Sequence, residues 1–121
     1  MILLALIAAL QATPNEADRP YSGKLTSTQP TTTLAACIAQ QLDKAGDVKQ
    51  SANGDQIGLF FTFKVLPMMP GNGGHMQVTV VPADAGSAAT ATYGHPISAK
   101  TVDRQFRIFA KKCGGVATPG T

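Results

Sequence analysis

From Thr33 onward the apolar positions fall into two periods, and the switch between them marks out the elements. "TLAACIAQQLDKAG" carries Leu34, Ile38, Leu42 and Ala45 at helical spacing, with Thr33 placed to cap the first turn and Gly46 to end the last. Asn53-Gly54 then gives a strong hairpin signal, since both central residues of a type I′ turn need positive φ. Past it, Ile57, Leu59, Phe61, Phe63 and Val65 alternate with Gln56, Gly58, Thr62 and Lys64, which predicts a strand with one buried face that only Phe60 interrupts. Met76, Val78 and Val80 repeat the alternation. Ala89, Ala91 and Tyr93 repeat it weakly after a turn at Gly86-Ser87.

The helical period returns in "SAKTVDRQFRIFAKKCGG". Val102, Phe106, Phe109, Ala110 and Cys113 form one apolar stripe, Ser98 or Thr101 stands at the start, and Gly114 sits at the stop position. The expected order is therefore α-β-β-β-β-α. Two helices with one apolar face each and a sheet with one buried face predict an α+β two-layer sandwich, an antiparallel four-stranded meander with both helices on one side.

Outside residues 33–115 the periodicity fails. "MILLALIAALQA", residues 1–12, is an apolar run ending in small residues and followed by polar, breaker-rich sequence. This is the grammar of a signal peptide cleaved after Ala12, although no Lys or Arg precedes the run and Leu10 stands where a smaller residue is preferred. The run is too short to span a bilayer, which needs about 20 residues, so no transmembrane span is expected after cleavage. Residues 13–32 hold three prolines and many Thr and Ser, and are expected to form a disordered or extended arm. Residues 116–121 are expected to fray.

With 121 residues the chain has room for one domain. Cys37 and Cys113, one on each predicted helix, form an even pair, which in a small exported protein reads as one disulfide. Their separation does not fit C-x-x-C grammar. Closing so long a loop is worth about 2–4 kcal/mol. The ensemble of features resembles the broad set of small bacterial periplasmic proteins and carries no motif of a named family. Periplasmic or secreted localisation is the expectation.

Charge and chemistry refine this reading. Only 14% of residues are charged, against about 25% in an ordinary globular chain. Yet Lys100, Arg104, Arg107 and Lys111 recur at steps of four, three and four on the face of the second helix opposite Val102, Phe106 and Phe109. Such a stripe suits an anionic envelope component or an acidic periplasmic protein. Without interleaved aromatics it does not point to nucleic acid.

"LPMMPGNGGHM" gathers a second set. Met68, Met69 and His75 offer two thioethers and an imidazole, ligands that soft Cu(I) accepts, while Met76 belongs to the strand's inward positions. Its prolines and glycines equally suit a long connection between strands, and Met68 and Met69 could face an apolar partner.

Catalysis finds less support. His75 and His95 each stand beside Gly or Pro in predicted turns, and Ser87 or Ser98 with His95 and Asp84 lacks nucleophile-elbow spacing. The seven acids are scattered. No P-loop, dinucleotide fingerprint or H-E-x-x-H occurs. The expected function is non-enzymatic binding with no cofactor, in a module stabilised by one disulfide, and the alternative is a periplasmic small-ligand or soft-metal carrier using the Met/His loop.

Overall fold

The structure, a computed structural model, describes residues 18–63 and 74–120. The fold is α+β. In chain order the elements are β1 (Arg19–Pro20), β2 (Lys24–Ser27), α1 (Thr31–Asp43), β3 (Gly46–Asn53), β4 (Gln56–Phe63), β5 (His75–Ala83), β6 (Gly86–Tyr93), α2 (Ala99–Cys113) and β7 (Val116–Thr118). The meander is present as β3 to β6, but among the described residues the sheet has seven strands rather than four. All pairs are antiparallel, in the order β3-β4-β5-β6-β2-β7, with β1 pairing the far part of β6.

The three additional strands come from segments expected to be arm and tail, and the element order is correspondingly longer at both ends. The reason lies in small inward residues. Along 21–27 the buried positions are Tyr21, Gly23, Leu25 and Ser27, a period of two that hydropathy alone does not reveal. A side chain at Gly23 has no room, because a Cβ would stand 2.3 Å from the Thr118 carbonyl oxygen and 2.7 Å from the Gly120 nitrogen. The segment around Gly23 thus packs directly on residues 118–120. β7 is three residues long and turns only Ala117 inward, too short for any periodic signal.

One face of the sheet is buried. Leu25, Ala89, Val80 and Ile57 stand in one cross-strand row, Ala91, Val78 and Leu59 in the next, and Tyr93, Met76 and Phe61 in a third. These residues join one core with Leu34, Ile38 and Leu42 of α1 and Val102, Phe106 and Phe109 of α2. Phe61, Phe106 and Phe109 retain no accessible surface, each worth about 1.5–3 kcal/mol of burial. Phe106 meets the Tyr21 ring edge-on, with centroids 4.9 Å apart.

Local signals shift by a residue or two. α1 starts at Thr31, with Pro30 at the cap position and no side-chain capping bond, so Thr33 lies inside the helix. It stops at Asp43, and Gly46 opens β3 instead of closing the helix. The β3–β4 turn is centred on Gly54-Asp55, since Asn53 pairs with Gln56. Gly54 is its one residue with positive φ, 63°, which is the II′ pattern and not I′. At the β5–β6 turn, Asp84 and Ala85 form the connection and Gly86 begins β6.

Candidate functional site

α2 is specified at both ends. The Ser98 Oγ accepts a hydrogen bond from the Thr101 backbone N–H at 3.3 Å, and Gly114, at φ 80°, donates its N–H to the Ala110 carbonyl. Val102, Phe106, Phe109 and Cys113 face the core. Lys100, Arg104, Arg107 and Lys111 are all exposed on the other side. The structure therefore brings the four sequence-predicted cations onto one open helix face.

Among the described residues, one of them has a carboxylate beside it. Arg107 Nη1 lies 3.2 Å from Asp103 Oδ2, an i,i+4 pair in which the acid is N-terminal. Among the described residues, Lys100, Arg104 and Lys111 have no carboxylate partner. Asp103 itself is turned toward the N-terminal segment. The Tyr21 hydroxyl donates to Asp103 Oδ1 at 2.5 Å, and the Gly120 N–H reaches both Asp103 Oδ1 at 3.3 Å and the Tyr21 oxygen at 3.2 Å. Burial, and then the bond to Asp103, push the Tyr21 hydroxyl up to about 12. The same bond is the main cause that holds the Asp103 carboxyl below its usual range. This clamp ties the segments around Tyr21 and Gly120 to α2 while leaving its basic face open.

The disulfide holds the other end of the helix. Cys37 of α1 and Cys113 of α2 are bonded, with Cα atoms 5.7 Å apart, across 76 residues of chain. The bond agrees with the reading of the even cysteine pair and fits an oxidising compartment. Among the described residues, no helix is long and apolar enough to cross a membrane.

The Met/His set divides. Met68 and Met69 lie outside the described residues, and Met76 is fully buried in the core. His75 opens β5, where its Nε2 lies 2.7 Å from Asp18 Oδ1 and its ring stacks on the exposed Phe60 with centroids 5.7 Å apart. The carboxylate accepts, so Nε2 is the donor of this bond. Gly94 makes this pair possible, because a Cβ there would come within 2.5 Å of the imidazole and 2.8 Å of the Asp18 oxygen. Among the described residues, no group of three or more His, Cys, Asp or Glu is arranged to hold a metal.

The serines considered for catalysis have structural duties. Ser87 is buried and donates to the Gln29 carbonyl at 2.8 Å, and Ser98 caps α2. Asp18, Tyr21 and Asp103 escaped the sequence reading, because two sit in the segment expected to be an arm and a lone acid on a basic helix reads as solvated. The alternation of Tyr21 and Leu25 was the available signal. Comparison of the chain with protein-family models, curated proteins and solved structures finds no match, so the site's own geometry carries the functional reading.

Proposed function

We propose that the protein is an exported, non-enzymatic binding module that docks onto an anionic component of the cell envelope through the exposed face of α2. The observation that carries this reading is the row of Lys100, Arg104, Arg107 and Lys111, of which, among the described residues, only Arg107 has a carboxylate beside it. A row of cations on one rigid helix attracts a polyanionic surface at long range and is weakened by salt. The disulfide supports export, and the apolar run at residues 1–12 supplies the expected signal.

The test is co-sedimentation of the oxidised protein with phosphatidylglycerol vesicles and, in parallel, with phosphatidylcholine vesicles. Binding is expected to the anionic vesicles alone, to fall with added salt, and to be lost in Arg104→Glu/Lys111→Glu. Equal binding to both vesicles, or an indifferent double variant, refutes the reading. Failure on lipid with salt-sensitive capture by a polyacidic peptide moves the partner to an acidic protein.

A soft-metal carrier is the second reading, favoured by the Asp18–His75 pair. A carboxylate that fixes one imidazole nitrogen orients the other toward a metal, and His75 directly follows the segment that bears Met68 and Met69. Anaerobic Cu(I) titration of wild type beside Met68→Ala/Met69→Ala decides it, since binding lost in the variant supports the carrier and no binding removes it.

A further inference from the structure

Among the described residues β3 is one edge of the sheet and β7 the other, and the two are built differently. β7 is three residues long and runs at once into Pro119, a short strand and a proline being two devices that keep an edge from pairing. β3 has eight residues and no proline, and its register with β4 is unbroken over the whole length, so no bulge turns it aside. Among the described residues no strand pairs with its outer side. Residues 49–53 are exposed and Val48 is half-buried.

The pairing with β4 fixes which backbone groups of β3 point outward. Phe63 donates its N–H to the Gly74 carbonyl at 3.2 Å, on the side away from β3. It stands opposite Gly46, so by antiparallel alternation Gly46 and every second residue after it direct their N–H and C=O to the free edge. Gly46 is buried, which leaves Val48, Gln50 and Ala52 as the accessible donors and acceptors. A second copy offers the same three, and they meet when Gln50 lies on a two-fold axis, opposite the partner's Gln50, with Val48 opposite the partner's Ala52. The side chains agree with that register. On the helix side apolar Val48 faces apolar Ala52, and the two Gln50 amides, each donor and acceptor, face one another. On the open side Lys49 lies opposite Ser51, and Asp47 opposite Asn53, whose amide is a donor for the carboxylate. A slip of the sum by two in one direction sets Lys49 against Lys49 and calls on the buried Gly46. In the other direction it sets Asp47 against Asp55 of the turn. Charge thus selects the register that the accessible backbone groups allow.

The geometry points to a two-fold dimer of this chain, formed by antiparallel pairing of β3 with the partner's β3 about Gln50. The interface is isologous and closes on itself, so association stops at two copies. It joins the two sheets into one, with the helix layers of both copies on the same side, because directly opposed residues share a face. The inference goes beyond envelope docking through α2 and does not rest on it.

The experiment is sedimentation equilibrium of the full oxidised chain over a range of concentrations, with amide exchange followed by NMR at the dilute and concentrated ends. A reversible equilibrium between one and two copies is expected, and the amides of Val48, Gln50 and Ala52 should gain protection as the dimer forms. Gln50→Pro deletes both bonds at the axis and none to β4, and should weaken association at least about tenfold. Ser51→Lys sets a like charge against Lys49 twice and should weaken it about tenfold, whereas Ser51→Asp should tighten it by a similar factor. Ser51 is exposed, so neither of its variants should move the urea midpoint in dilute solution, and loss of the dimer is not loss of fold. A single copy at every concentration overturns the proposal, as does a dimer indifferent to Gln50→Pro. Tighter association of Ser51→Lys, the response of a register that opposes residue 51 to Asp47, overturns it equally.

Discussion

α1 and α2 pack on the same core and are joined by one disulfide, yet they are built to different rules. α1 has no side-chain cap, no acid in its first turn and no base in its last. Its 13 residues contain one charge, Asp43. α2 has a serine cap, a glycine stop, basic residues in its last turn and a cationic outer face. The difference separates roles: α1 is held by what it buries, whereas α2 is specified by its own ends and can devote its outer surface to charge. A helix that carries so many like charges needs such independent support, because their mutual repulsion works against it.

The largest expected effect tests the shared core. Phe106→Ala should cost about 4 kcal/mol, since the ring is fully buried against Tyr21 and Phe109. Phe60→Ala, on the open sheet face, should cost less than about 1 kcal/mol, and equal losses in urea unfolding would erase the distinction between the faces. Next comes the link between the helices. Reduction, or Cys37→Ser/Cys113→Ser, should lower stability by about 3 to 4 kcal/mol, because the bond closes a loop of 76 residues. Proteolysis of the reduced protein should begin in α1, the helix without a side-chain cap.

A smaller effect appears at alkaline pH. The neutral Tyr21 hydroxyl is favoured in the fold, its value raised from 10.0 to about 12, so its contribution is complete below pH 10 and lost as the pH rises toward 12. Asp103 acts in the opposite direction, its stabilising contribution present above the ordinary carboxylate range and lost in acid. Urea midpoints of wild type should therefore fall between pH 10 and 12 more steeply than those of Tyr21→Phe. The smallest effect concerns the caps. Ser98→Ala should cost about 1 kcal/mol, while Thr33→Ala, inside α1 and not at its start, should be nearly neutral.

These contrasts also explain what the sequence made legible. Val102, Phe106, Phe109 and Cys113 lie at helical spacing with unmistakable side chains, and all are buried. Met76, Val78 and Val80 did the same for β5. The disulfide followed from an even pair placed on two helices of one layer. The first two strands were hidden because Gly23 and Ser27 take inward positions where small residues fit close packing, Gly23 against residues 118–120 and Ser27 against the start of β6. Hydropathy registers such positions as polar or neutral. The turn at Gly54 moved by one residue because a glycine satisfies more than one turn type, and the register of Asn53 with Gln56 decides between them. Of the site, the cationic face was legible from spacing. The Asp18–His75 pair and the Tyr21–Asp103 clamp were not, since partners 57 and 82 residues apart meet only in the tertiary fold.

The most direct test of the division between the helices is residue-resolved mapping by NMR of the oxidised protein against phosphatidylglycerol nanodiscs. Line broadening should concentrate at Lys100, Arg104, Arg107 and Lys111, spare α1 and the open sheet face around Phe60, and disappear in high salt. Broadening centred on Phe60 or the β3 edge, or none in any region, would contradict the assignment of α2 as the docking element.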